Sequence, residues 1–387
     1  MSVVIENSVE LGDVIEMVMG QAPPGDACNN DGVGKVFVKA GEFQSRFPLV
    51  REWTTKPLKH GKPGDTLVCV VGATAGKVNL ANLECAIGRS VAAVRALPEK
   101  LDPLYLFHFL LTKVDQLRAG SQGAAQGVIT REMIAGLRLH YPPLPEQRRI
   151  AAILDQADAL RAKRREALAQ QDSLTQSIFI EMFGESRTNP TRWPTRGIET
   201  ACELIVDCVN RTAPLAEGAT PYKMIRTTNV KSGKVNLDIV RYVDFETFTT
   251  WNRRATPRRG DVLLTREAPV GETGILASDD KVFLGQRLML YRPAAEQTTS
   301  EYLLASFMSP YLQDQFAQHA SGSTVKHLPL PACRAFELRM PPLPLQQTFA
   351  TRIQAVESLK ATHRAALAES DALFASLQHR AFTGQLT

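Results

Sequence analysis

The sequence predicts an α+β protein built twice: two α/β domains separated by two long antiparallel helices, related by an internal pseudo-two-fold duplication. Three observations predict it. The chain repeats itself at an offset of about 199 residues, far too long for a solenoid and right for a duplicated domain. Each copy contains nearly forty residues in unbroken helical pattern behind a proline cluster. The remainder of each copy is short β-rich runs punctuated by Gly and Pro.

The repeat is legible residue by residue. Pro142-Pro143-Leu144-Pro145-Glu146-Gln147 recurs as Pro341-Pro342-Leu343-Pro344-Leu345-Gln346, and Gly64-Asp65-Thr66-Leu67 as Gly260-Asp261-Val262-Leu263. Gly76 matches Gly271 and Gly88 matches Gly285. The offset drifts between about 195 and 199, as loops of unequal length within one fold would make it.

In chain order, residues 1–141 form the first domain. Its expected strands are 36–38, 66–71 and 91–94, with one helix over 103–118. Residues 142–184 form the first long helix, ending at Phe183-Gly184, where a C-cap belongs. Residues 185–340 hold a linker, 184–194 by its Asn189-Pro190 and Trp193-Pro194 composition, and the second domain. That domain is expected to carry strands 222–225, 262–265 and 288–291 and a helix over 299–318. Residues 341–387 form the second long helix.

Both helices share a heptad register. Ala157, Leu160, Arg164, Ala167, Gln171, Leu174 and Ile178 are spaced 3-4-3-4-3-4, and adding 199 gives Val356, Leu359, His363, Ala366, Ser370, Leu373 and Leu377. With the repeats related by a two-fold axis, this seam predicts an antiparallel pair with polar layers Arg164 by Ser370 and Gln171 by His363; the alternative is that these polar residues simply flank a narrow apolar stripe. Thirty-nine helical residues make a rod of roughly 58 Å.

The totals exclude several classes. No apolar run is long enough to span a membrane, and the first residues lack the basic-then-apolar pattern of a signal peptide. The six cysteines are scattered without a C-x-x-C pair, which suits reduced thiols in a cytoplasm and neither a disulfide frame nor a zinc site. Gly72–Lys77 is too short for a P-loop and lacks its Ser/Thr; no dinucleotide fingerprint, Asn-Pro-Pro-aromatic tetrapeptide, nuclease cluster or metal spacing occurs. No catalytic residue is therefore expected.

Net charge is only +5, but it is concentrated. Between Lys35 and Lys62 seven Lys/Arg face two Glu, and 251–260 holds four arginines and no acid. Local positive charge suits a protein that touches a polyanion at chosen places, although solvated loops would look the same. Candidate DNA contacts are Lys35, Lys39, Arg46, Arg51, Lys77 and Gln122 in the first domain. In the second they are Arg226, Asn229, Arg253, Arg254, Arg258, Arg259, Arg266, Ser323, Thr324 and Lys326. Arginine suits guanine or phosphate, Asn and Gln suit adenine, and the small residues of 72–77, 120–126, 266–271 and 321–326 let backbone approach a phosphate closely.

Pro-Pro-Leu-Pro-Glu-Gln followed by Arg148-Arg149-Ile150-Ala151-Ala152-Ile153-Leu154-Asp155 resembles the start of the helical region in specificity subunits of type I restriction–modification systems. Leu11-Gly12-Asp13-Val14, the Gly-Asp strands and the Gly-Ser loops are similar too; the second helix departs, with Leu345 for Glu and Gln347 for Arg. The resemblance implies a non-catalytic subunit whose two domains each read one part of a split, asymmetric site in double-stranded DNA. The helices would space the domains; 58 Å is about 17 base-pair steps of roughly 3.4 Å. They would also dock two methyltransferase subunits, with two motor–nuclease subunits joining for restriction. S-adenosylmethionine, ATP and Mg would sit on those partners alone. A stand-alone DNA-binding regulator, a coiled-coil interaction scaffold and an enzyme with an unrecognised motif remain open from the residues themselves.

Overall fold

The computed structural model describes residues 7–44, 46–121, 127–322 and 326–386, residue 172 by its backbone. The chain folds as two compact units. The first is Met1–Glu166 with Arg364–Thr387, and the second is Ala167–His363.

The first unit carries an antiparallel four-stranded sheet in the order Ile15–Met19, Val91–Ala96, Thr66–Cys69, Val78–Leu80. A second sheet contains five short strands, with Lys35–Val38 and Cys85–Ile87 side by side and parallel. Alternation along Val91–Ala96 divides the interior: Ala92, Val94 and Ala96 enter one core cluster, Val91 and Ala93 the other. The second unit repeats the plan. Cys202–Asp207, Leu288–Pro293, Val262–Thr265 and Thr273–Ile275 are successive in its six-stranded sheet, and Tyr222–Ile225 runs parallel to Lys281–Leu284. Met289 and Tyr291 face one cluster, Leu288 and Leu290 the other.

The shared Gly-Asp dipeptides brace these sheets. Asp65 accepts Nε and Nη2 of Arg95 at 2.8 and 2.7 Å, and Asp261 accepts the same atoms of Arg292 at 2.8 and 2.8 Å. Each aspartate also takes a backbone N–H, from Lys62 and Arg258, so a nearly inaccessible carboxylate is fully used.

Two expectations about helices need correction. The single helix over 103–118 is two, Pro103–Leu111 and Val114–Ser121; Thr112 Oγ1 donates to Phe109 O at 2.7 Å where the first one stops. The helix over 299–318 is also two, Ser300–Met308 and Pro310–His319, because Ser309 precedes a proline and is pushed to extended backbone. The 184–194 segment is no loose linker. Thr191 Oγ1 and Trp193 Nε1 both donate to Phe183 O, at 3.0 and 3.1 Å, capping the helix that ends there.

The long helices run Leu144–Phe183 and Leu343–Phe382. Each is locked at its start by a buried glutamine. Gln147 accepts from the Asp102 N–H at 2.9 Å and donates to Lys100 O and Pro142 O; Gln346 accepts from Thr298 Oγ1 at 2.7 Å and donates to Gln297 O and Pro341 O. Glu146 is not buried, and its carboxylate takes both arms of Arg149 in its own helix. Leu345 in its place packs against the cluster that holds Phe179, Phe183 and Phe349.

Within each unit the helix halves pair antiparallel. In the first unit Arg161 and Arg165 reach Asp371, and in the second Arg352 reaches Glu181. The seam lies one residue over from the expected line at alternate positions. Arg161, Lys360 and Phe374 are turned inward, while Leu160, Leu174, Leu359 and Leu373 are 40–60% exposed. Arg161 can occupy the inner line because its guanidinium stacks on Phe374, 4.1 Å from the ring centroid, and pairs with Asp158 and Asp371. Among the described residues no helix is long and apolar enough to cross a membrane.

Candidate nucleic-acid interface

Four chain segments meet at the same corner of both units. In the first, strand Thr66–Cys69 runs out into the loop ending at Lys77, closed by Gly76 N–H on Cys69 O at 2.8 Å. Val70 N–H bonds Ser90 O and Val70 O accepts from Ile129, both at 2.8 Å. Gly88 N–H bonds Val38 O, and Ser90 Oγ accepts the Ala40 N–H at 3.3 Å. In the second unit Gly271 bonds Thr265 O, Arg266 bonds Arg287 O, Leu328 bonds Arg266 O and Gly285 bonds Ile225 O, at 2.8–2.9 Å. The corner therefore gathers the loop after the Gly-Asp strand, the Gly88/Gly285 turn, the segment around Ile129 or Leu328, and the turn after strand Lys35–Val38 or Tyr222–Ile225. Gly76 is required there: its φ is +85°, and a Cβ would stand 2.9 Å from Val114 O.

The expected contact residues divide into free and committed groups. Arg51, Lys77, Arg253 and Lys326 are exposed with no side-chain hydrogen bond or ion pair among the described residues. Lys35 pairs with Glu84 at 3.0 Å. Lys39 pairs with Glu52, whose carboxylate raises the ammonium above its ordinary range. Arg254 pairs with Asp207, Arg258 with Glu203, and Arg259 with both oxygens of Asp279. Such exposed pairs are weak in water and open to exchange for phosphate.

Three candidates are committed inside the fold. Arg46 is held by Asp155 of the first long helix and lies over the rings of Phe47 and Phe107. Arg266 donates Nε to Leu328 O at 2.9 Å and so ties two corner loops together. Asn229 is buried, with Oδ1 taking the Arg226 N–H and Nδ2 donating to Asn236 O and Ile239 O at 3.0 and 2.8 Å. Its amide has nothing left for an adenine, and it leaves the set of base readers. Gln122, Ser323 and Thr324 lie outside the described residues.

Arg89 and Arg287, one residue apart in the two copies of the Gly88/Gly285 turn, were not expected. Arg89 is exposed and free of side-chain partners among the described residues, and Arg287 meets Glu267 at 3.4 Å. Each follows the repeated glycine closely, a signal the repeat alone carried. Among the described residues no three His, Cys, Asp or Glu are grouped to hold a metal ion.

A sequence model described as type I restriction modification DNA specificity domain matches residues 6–170 and 216–369. A Methanocaldococcus jannaschii protein provisionally named as the MjaX type I restriction enzyme specificity subunit is 34% identical over 174 residues, covering 44% of this chain and 41% of that protein. The same organism's type I restriction enzyme MjaVIII specificity subunit is 20% identical over 382 residues, covering 91% of this chain and 86% of the relative. In fold, the crystal structure of a type I restriction–modification S subunit from M. genitalium matches with a TM-score of 0.62 at 13% identity, covering 97% of this chain and 95% of that one.

Proposed function

The chain belongs to the type I restriction–modification DNA specificity family, and from that premise we propose that it reads a bipartite, asymmetric site in double-stranded DNA, one part per unit. The observation that carries the reading is the corner itself. A matching set of backbone hydrogen bonds recurs in both units, while the side chains on it differ: Lys39 against Arg226, Lys77 against Glu272, Ser90 against Arg287. A constant frame with changing side chains suits two readers of different sequences, because phosphate contacts position the duplex and base edges specify it.

The chain performs no catalysis in this proposal. S-adenosylmethionine, ATP and Mg belong to partners, two methyltransferase subunits docking on the helices and two motor–nuclease subunits joining for restriction. The exposed leucines support the docking. Leu160 and Leu373 belong to the first unit and Leu174 and Leu359 to the second, each position repeated at an offset of 199. Two equivalent apolar patches suit two copies of one partner. The testing experiment is co-expression with a candidate methyltransferase and mapping of methylated adenines across a genome. One bipartite motif, present only with this chain, is expected; methylation that persists without the chain would sink the reading.

A further inference from the structure

We propose that Arg226 and Arg241 of the second unit form a two-arginine DNA reader, Arg226 taking the edge of one guanine and Arg241 the adjoining phosphate. The proposal rests on the DNA-reading function above and names residues for one half of it.

The two units place different charges at equivalent points. Val38 and Ile225 both end strands that run parallel to a neighbour, and both accept the N–H of a repeated glycine. The next residue, Lys39 or Arg226, opens a 3-10 turn, and its N–H is held by the side chain three residues on: Glu42 at 2.8 Å or Asn229 at 2.9 Å. Lys39 and Arg226 are therefore the same position. The antiparallel neighbour supplies the second position. Phe37 N–H bonds Glu52 O, and Met224 stands opposite Arg241. Phe37 and Met224 each lie two residues before the cation, so Glu52 and Arg241 occupy equivalent diagonal sites.

In the first unit this diagonal is a closed ion pair, Lys39 with Glu52. In the second the acid is replaced by arginine. Neither Arg226 nor Arg241 makes a side-chain hydrogen bond or ion pair among the described residues, and Arg226 Nε is buried with no acceptor. Like charges on diagonal sites repel, and a buried donor without an acceptor destabilises the state that holds it. A ligand bringing acceptors and negative charge relieves both. Arg226 is half-buried and its Nε is enclosed, so the edge a guanidinium has to offer a ligand is the one between its two Nη groups. That edge matches N7 and O6 of guanine. Arg241 is exposed on a flexible stem, which suits a phosphate.

The test uses the full chain with its methyltransferase and compares wild type with R226A, R226K, R241A and R241K. Adenine methylation is mapped, and binding to a duplex carrying the mapped target is measured against salt. Both Arg226 variants should lose roughly ten- to a hundredfold in discrimination at one base pair of one half-site, since lysine keeps the charge but not the fork. The other half-site should be unchanged, an internal check on folding. R241A should weaken binding to all sequences and reduce the salt slope by about 1, and R241K should restore both. Wild-type motif and slope in R226A and R241A would overturn the proposal, as would loss of both half-sites in R226A with a lowered Tm. A wild-type chain that directs no motif would instead defeat the function reading, and this one with it.

Discussion

Asp261 shows what a repeated residue can mean. Its carboxylate is 1% exposed and takes both arms of Arg292, as Asp65 takes both arms of Arg95. The sequence marked these aspartates as repeated; only the structure shows them to be braces. Asp261→Ala should lower stability by about 3 kcal/mol, because it leaves Arg292 without its carboxylate, and thermal melting checks it. His108 carries a second prediction. It is wholly buried against Phe107 and Phe374, its Nε2 lies 3.5 Å from Asp155, and neither ring nitrogen is hydrogen-bonded. Burial pushes its pKa below the ordinary imidazole value and outweighs the pull of Asp155. The unfolded chain therefore binds that proton first, so stability is intact above about pH 6.5 and falls as pH drops from there toward the folded pKa. His108→Leu should flatten that acid limb, read as Tm between pH 7.5 and pH 5; an equally steep limb would refute the assignment. Arg46 and Asn229 explain why single residues were poorly legible. Positive charge and amide type were visible, but Arg46 is tied to a partner 109 positions away, and no local pattern reveals that.

Helices were more legible than side chains. Helix length, the proline start, the glycine end and the antiparallel pairing all follow from periodicity and punctuation. The seam did not follow in full. Apolarity selected Leu160 and Leu373, whereas the inner line holds Arg161 on Phe374. An arginine stacked on an aromatic ring and paired with two carboxylates buries well, and hydropathy alone scores it as outward. The displaced leucines are left exposed, and in the docking proposal they form the partner surface. Replacing Leu160 and Leu373 together by Asp should leave helix content and Tm near wild type but reduce bound methyltransferase from two copies to one, measured as complex mass. Retention of both copies would show that the patch is not the docking surface.

At the scale of the whole molecule, the duplication made the architecture legible, and its division into units was the surprise. The division falls inside the helices: each unit takes the first part of one and the last part of the other. The core of the first unit includes Ala381, Phe374 and Phe382; the ring of Phe374 meets His108, and that of Phe382 meets Tyr105 and Phe109. The second unit is one continuous stretch, 167–363. The first unit is therefore begun before the second and completed after it. Residues 7–121 are made before the second unit, and Tyr105 and Phe109 lack their cover until residues 364–386 follow it, by which time the second unit has its whole sequence. For the first unit a nascent chain stopped at residue 363 is an unfinished core, whereas for the second it is complete.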